Sequence, residues 1–253
     1  MLTELVPGVL VATAEMDTTT STVVTGYSGG CLVVDPAVTV AEIAALARAL
    51  DDAGLTPVAG FSTHPHWDHV LWSSSLGALV PRYTSTRAVS VAVAERPGLI
   101  EGVEDAAPGH DLSLFARLMP LAGAALPWNG PVAEVITHDG HAPGHSAMFL
   151  PDSGVLIAGD MLSDVEIPLL DVGAPDPLGD YRAGLDRLAS IGDVQWVIPG
   201  HGHVGDAAEF RRRVDADRRY LDLLSSGQPV GDPRLSSGPD WLRQAHEAQS
   251  SRC

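Results

Sequence analysis

The sequence predicts a mixed α/β fold with two strand-rich halves, and three observations carry that reading. Short apolar runs recur through both halves, each bounded by Gly, Pro or Asp, as buried strands are. Between them stand segments whose apolar residues lie three and four apart, opened by helix-capping residues. No internal repeat and no linker divides the chain, so strands and helices belong to one body.

The first half reads strand, helix, strand, with strands at residues 9–12, 31–34 and 57–61. Between the second and third, Thr39-Val40-Ala41-Glu42 is a capping-box start, followed by Ile43, Leu46 and Leu50 on one face and a stop at Gly54. Residues 84–129 have weak strand character and several Pro and Gly. They read as a helical insertion, with Leu112, Leu114, Phe115, Leu118 and Met119 on its helix. Further strands are expected at 131–137, 147–150, 155–158 and 194–198. A helix opens at Asp176-Pro177 and shows Leu178, Tyr181, Leu185, Leu188 and Ile191 before Gly192. Another starts at Asp206, with Glu209 three residues on, and carries Phe210, Val214, Leu221 and Leu224. Residues 226–253 are rich in Ser, Gly, Pro and Gln and read as a C-terminal tail with one amphipathic piece at 241–246. Residues 1–225 are therefore expected to form a single domain.

Composition narrows the function. The 253 residues carry 32 acidic against 15 basic side chains, a formal charge of −17. Nucleic acids and anionic membrane surfaces repel such a chain, so neither is an expected partner. All the basic residues are Arg. Without Lys, neither Schiff-base chemistry nor a Walker-type phosphate loop is available. At 45% apolar and 19% charged, the chain can bury an ordinary core. Cys31 and Cys253 lie far apart in sequence, so no disulfide framework is expected. The N-terminal MLTELVPGVLVATAE lacks the basic region of a leader, and no apolar stretch reaches membrane-spanning length. The expectation is a soluble, cytoplasmic protein.

His64-Pro65-His66-Trp67-Asp68-His69 follows a predicted strand directly and holds four metal-capable side chains. In an extended segment alternate side chains point the same way, so His64 and His66 converge on one point, while Asp68 and His69 come where the chain turns toward a second. Packing offers no reason for such a cluster. Three further metal-capable residues also stand just past strands: His145 in Ala142-Pro143-Gly144-His145-Ser146, Asp160 after Val155-Leu156-Ile157-Ala158-Gly159, and His201 in Ile198-Pro199-Gly200-His201-Gly202-His203. Imidazole and carboxylate donors without thiolate suit Zn²⁺, Fe or Mn, and fit an open catalytic site better than a closed structural one.

Together these pieces resemble the metallo-β-lactamase fold superfamily, whose motifs are HxHxDH, a Gly-His, a strand-end Asp and a final Gly-His. All four occur here, and the resemblance extends over about residues 35–203. It implies a four-layer αββα sandwich with metals at one edge of two sheets, and two Zn²⁺ per chain, with Fe or Mn also acceptable. Carried over residue by residue, His64, His66 and His145 bind one metal, Asp68, His69 and His201 the other, and Asp160 bridges them. Asp35, at an early strand end, supports the site without binding metal. Zinc can lower the pKa of bound water to about 7, so the implied reaction is hydrolysis by a metal-bridging hydroxide that Asp68 helps to orient.

Within the superfamily, His66 stands where the redox diiron branch carries Glu, which argues against electron transfer. Asp160 stands where the antibiotic-cleaving members generally lack an acidic residue. No basic surface supports a nuclease. The sequence is most similar to the branch of glyoxalase II and the lactonases, which cleave small carboxyl esters, lactones and thioesters. Two rivals are a mononuclear iron enzyme resembling persulfide dioxygenases and a non-hydrolytic, cyclase-like ligand-binding member. No Gly-x-Ser-x-Gly elbow exists to support a serine hydrolase. His141 and His203 are candidates for hydrogen-bonding behind the ligands, and Trp67, Phe115 and Trp128 for lining the substrate pocket. His110, His138 and His246 fit no pattern and are expected at the surface. The Arg-rich run from Arg211 to Arg219 reads as a solvated helix face paired with Glu209, Asp215 and Asp217. The expected partner is a small-molecule substrate; the oligomeric state is left open.

Overall fold

The computed structural model describes residues 2–252. Seven strands form the first sheet, in sequential order: β1 (Thr3–Val6), β2 (Val9–Thr13), β3 (Thr20–Thr25), β4 (Gly30–Val34), β5 (Thr56–Phe61), β6 (Arg82–Thr84) and β7 (Met119–Pro120). The second sheet has the order β12 (Gly205–Asp206), β11 (Trp196–Pro199), β10 (Val155–Gly159), β9 (Ser146–Leu150) and β8 (Glu134–Thr137). Each sheet contains a parallel pair at its centre, β4 with β5 and β10 with β11, and each pair is joined by a helical crossover. The first crossover is α1 (Val40–Asp52), which begins at the expected capping box. Glu42 N donates to Thr39 Oγ1 at 3.2 Å and Thr39 N to Glu42 Oε2 at 2.9 Å. The second is α4 (Pro177–Ala189), with Asp176 as N-cap and Pro177 in its first turn.

Strands buried on both faces read as unbroken apolar runs, and period-2 alternation then assigns neighbours to opposite sides. In β3 and β4, Val24, Leu32 and Val34 face the second sheet, where they meet Met148, Leu150, Ile157 and Ile198. Val23, Cys31 and Val33 face outward onto Ile43, Leu46 and Leu50 of α1. The outer face of the second sheet is covered by α4, by α5 (Ala207–Ser225) and by Leu242. The layers thus run helix, sheet, sheet, helix, the four-layer αββα sandwich with a helical segment between β6 and β7.

Several expectations change. β3, the Thr-Ser-Thr-Val-Val-Thr segment, is missed because hydroxyl residues mask a strand that is buried almost throughout. The expected helix at Leu112–Met119 is a run of turns: Arg82 donates to the Leu114 carbonyl at 2.8 Å, Arg96 donates to that of Leu112 at 3.0 Å, and Ala116 is left-handed at φ 53°. The helices of this segment are α2 (Thr86–Ala94) and α3 (Arg96–Ala106). Residues after Ser225 fold back as α6 (Pro233–Ser237) and α7 (Asp240–Arg252), longer than the expected piece at 241–246. Arg234 is buried and donates to the buried Asp217 at 2.7 Å. Asp217 and Arg213 therefore lie inside the protein, not on a solvated helix face. Cys31 is a buried free thiol, pushed up to about 12 by burial; Cys253 lies outside the described residues.

Candidate metal centre

The C-terminal ends of the parallel strands meet at one edge of the sandwich, and most of the donors stand just past a strand. His64 to His69 follow β5, Asp160 follows β10 and His201 follows β11, with Asp35 after β4 beside them and His141 in the loop between β8 and β9. Two hydrogen bonds stitch the sheets together there, from Ser146 N to Thr63 O at 2.8 Å and from Thr20 N to Gly200 O at 2.7 Å. The approach is close enough to require glycine twice. A Cβ on Gly200 would overlap Asp160 Oδ1, and Gly159, at φ 57°, faces the His145 ring.

Two groups of side chains can each hold a metal ion: His64, His66, His141 and Asp160, and Asp68, His69 and His201. In the first, His66 Nδ1 lies 3.0 Å from both His64 Nε2 and His141 Nε2, so three imidazoles converge on one point. In the second, Asp68 Oδ2 lies 3.3 Å from His69 Nε2 and 3.2 Å from His201 Nε2. Asp160 stands between them, Oδ1 at 3.2 Å from His69 and Oδ2 at 3.4 Å from His64 and His201 and 3.5 Å from His141. Asp160 Oδ1 is buried without a hydrogen-bond partner among the described residues, which is the condition of a ligand atom awaiting a cation. Donor chemistry and geometry both fit a metal.

The resemblance implies His145 in the first group and His141 behind it; in the structure His141 stands in the first cluster of converging side chains and His145 lies beside it. His145 Nε2 accepts from Asp160 N at 3.1 Å, and its ring stacks between His138, at 4.6 Å, and His64, at 5.1 Å. His141 turns toward the cavity, its Nδ1 fixed 2.8 Å from the Leu169 carbonyl and its Nε2 toward His66. Two histidines four apart in one loop look alike in sequence; only the packing decides which is buried under the strand.

Hydrogen bonds and a carboxylate–imidazole ion pair orient the donors from behind. Asp35 accepts from Thr63 N at 2.9 Å and Thr63 Oγ1 at 2.6 Å, and its Oδ2 lies 3.0 Å from His69 Nδ1. His201 Nδ1 lies 3.1 Å from the Asp17 carbonyl. His203, by contrast, is exposed and pairs with Asp164 at 2.9 Å, with no contact to a donor. Of the three histidines expected at the surface, His138 is buried, and burial pulls it down to about 4.

Electrostatics divides the site. Burial holds the His64, His66 and His141 imidazoles below the usual histidine range, His141 down to about 3. Burial also acts on His69 and His201, but there the carboxylates outweigh it. Asp160, Asp68 and Asp35 around His69, and Asp160 and Asp68 around His201, hold both well above that range. Against burial, the same histidines hold Asp68 and Asp160 well below the carboxylate range.

The donors open into a cavity of about 480 Å³ whose wall includes Trp67, Val91, Pro143, Leu169, Val172 and Trp241. Of the expected pocket residues, Trp67 lines it and the other two do not. Phe115 is packed into the core against the first sheet, and Trp128 packs beside Gly26 and donates to the Pro131 carbonyl at 3.0 Å. The sequence reading missed α7, which supplies Trp241 and Ala245 to the wall. It also missed Glu166, a buried carboxyl on the same cavity that burial pushes up to about 7. Neither has a motif to mark it.

The sequence profile of the metallo-beta-lactamase superfamily matches residues 15–221. Hydroxyacylglutathione hydrolase of Ruegeria pomeroyi is 30% identical over 200 residues, 78% of this chain and 70% of the relative. That of Acidiphilium cryptum is 26% identical over 237 residues, 89% of this chain and 86% of the relative. Among solved structures, a β-lactamase domain protein from Burkholderia ambifaria superposes with TM-score 0.70 at 18% identity, over 98% of this chain and 87% of that one. TTHA1623, solved in a di-iron-bound form, gives TM-score 0.62 at 25% identity, over 80% of this chain and 97% of that one.

Proposed function

This chain belongs to the metallo-β-lactamase superfamily and is a metal-dependent hydrolase, and from that premise we propose that it is a dinuclear zinc enzyme cleaving a small carboxyl ester, lactone or thioester. The observation that carries the reading is Asp160, whose two oxygens reach both donor groups within one cavity. His64, His66 and His141 are assigned to one ion, Asp68, His69 and His201 to the other, and Asp160 to both. Metal ions held there would act as Lewis acids, easing the ionisation of water and polarising the scissile carbonyl.

The chain's own residues do the rest. Asp35 holds the His69 ring in place through its Nδ1 side. Asp68, beside both His69 and His201, stays ionised and aligns the attacking oxygen. Trp67 and Leu169 shield the reacting carbonyl from bulk water. Relatives named hydroxyacylglutathione hydrolase support a thioester among the substrates, and the di-iron form of TTHA1623 supports admitting iron in place of zinc. Residues 1–225 are taken as the catalytic domain, with 226–253 completing its wall. The acidic charge and the absence, among the described residues, of a helix long and apolar enough to cross a membrane support a cytoplasmic enzyme free of nucleic-acid partners.

Metal analysis combined with a panel of lactone, thioester, phosphodiester and β-lactam substrates tests the proposal. Two metals per chain and turnover of esters or thioesters are expected. A single iron with oxygen consumption, or cleavage confined to phosphodiesters, would overturn it.

A further inference from the structure

Four carboxyl groups line the cavity without belonging to either donor group: Asp17, Glu95, Glu166 and Asp171. No arginine faces the cavity and the chain has no lysine, so apart from the metal ions assigned to the donor groups no cation offsets them. Asp17, Glu95 and Asp171 are open to solvent in whole or part. Their charge is screened, though it still sets the sign of the field at the mouth.

Glu166 is different in kind. Only 8% of it is exposed. Its N–H donates to Ser163 Oγ at 3.0 Å and its carbonyl accepts from Arg234 at 2.9 Å, so its backbone is pinned. Its side-chain carboxyl borders the cavity and has no hydrogen-bond partner among the described residues. Its oxygens are not sealed from the cavity, and a carboxylate with so little exposure and no donor from the protein is poorly solvated. In a cavity wall, such a group finds its donor on a ligand. The same wall carries two indoles, Trp67 and Trp241, whose faces attract cations and not anions.

We propose that the substrate carries a protonated amine received by the Glu166 carboxylate, so that the enzyme acts on cationic esters or thioesters and discriminates against those of an anionic thiol such as glutathione. The amine donates to a Glu166 oxygen while the carbonyl lies over the metal donors, and a glutathione arm, although it has one ammonium of its own, would bring two further carboxylates into a cavity with no arginine to meet them. This inference rests on the hydrolase reading above and names the substrate class of the same site.

The test is calorimetric binding to the metal-loaded full chain of three thioethers sharing one S-hexyl group: the cysteamine ether (ammonium), the N-acetylcysteamine ether (neutral) and S-hexylglutathione (anionic). The cysteamine ether is expected to bind at least about 10-fold more tightly than the neutral one and about 100-fold more tightly than the anionic one. Glu166→Gln, close to isosteric, is expected to remove most of the first difference and to leave the neutral ether's affinity within about 3-fold. Tightest binding of the neutral or glutathione ether overturns the inference in the wild-type protein alone, whatever the variant does. So does a cysteamine preference that survives Glu166→Gln in a folded protein. Hydrolysis of the matching acyl thioesters separates the two readings. If none is cleaved while the cysteamine ether still binds through Glu166, the hydrolase reading fails and the ligand class stands. If the glutathione thioester is cleaved best, the hydrolase reading stands and this inference falls.

Discussion

The two donor groups lie side by side yet are prepared in opposite ways. His64, His66 and His141 are kept neutral by burial, so their lone pairs are free for a cation at neutral pH. His69 and His201 sit among Asp35, Asp68 and Asp160, which hold both above the usual histidine range. One half is a preformed set of neutral donors; the other is an anionic hole that draws positive charge, and a metal there must displace protons. The lesson is that a shared carboxylate, not similarity of the two halves, makes them one site.

The largest expected effect is therefore at the shared residue. Asp160→Ala is expected to lower metal content toward one ion per chain and activity by well over about 100-fold, since loss of a group merely behind a ligand already costs 10–100-fold. Metal analysis and kcat decide, and a variant that keeps two ions with normal turnover breaks the assignment.

Next comes the choice between the two histidines of one loop. His141→Ala is expected to empty the first group, whereas His145→Ala is expected to keep its metal and lose stability by about 1–3 kcal/mol, through loss of the acceptor for Asp160 N. The reverse outcome, read by metal content and thermal unfolding, would favour the assignment that the resemblance implies.

A gentler perturbation is pH. Because His69 and His201 are held above their ordinary range and His64, His66 and His141 below it, acid restores protons to the second group first. As pH falls, the ion at Asp68, His69 and His201 is expected to leave before its neighbour, and metal uptake near neutral pH to release protons on that side. Stepwise metal loss on acid titration, with calorimetry in buffers of different ionisation enthalpy, reads this out; simultaneous loss contradicts the division. The smallest effect is expected at His203, where replacement by Ala should leave metal content unchanged and stability within about 0.5 kcal/mol, as for exposed sites elsewhere.

Much of the site was legible before the structure because short-range geometry dictates it. Strand alternation turns His64 and His66 together, and a donor at a strand end lies at the edge where parallel strands finish. His141 and His145 were not separable on that basis, since a loop has no fixed period and each histidine follows a glycine or stands two after a proline. The segment after β6 is helical as expected, but its helices lie earlier than Leu112–Met119: α2 is capped by Ser85 Oγ accepting from Ala88 N at 3.0 Å and packs through Ala88 and Ala92, a face of two small residues that leaves little apolar periodicity to read. Glu166 and Trp241 were illegible because nothing local distinguishes a wall residue from a surface one.

Gln249 of α7 donates to the Pro168 carbonyl at 3.0 Å and accepts from Leu170 N at 2.7 Å, clamping the strip of wall beside Glu166. All seven metal-capable side chains are present once His201 has been made, but the strip they face is secured only when α7 has followed. The candidate metal donors and the clamp on the wall therefore come from separate stretches of chain, so a truncation ahead of α7 would remove the clamp and leave every donor residue in the sequence.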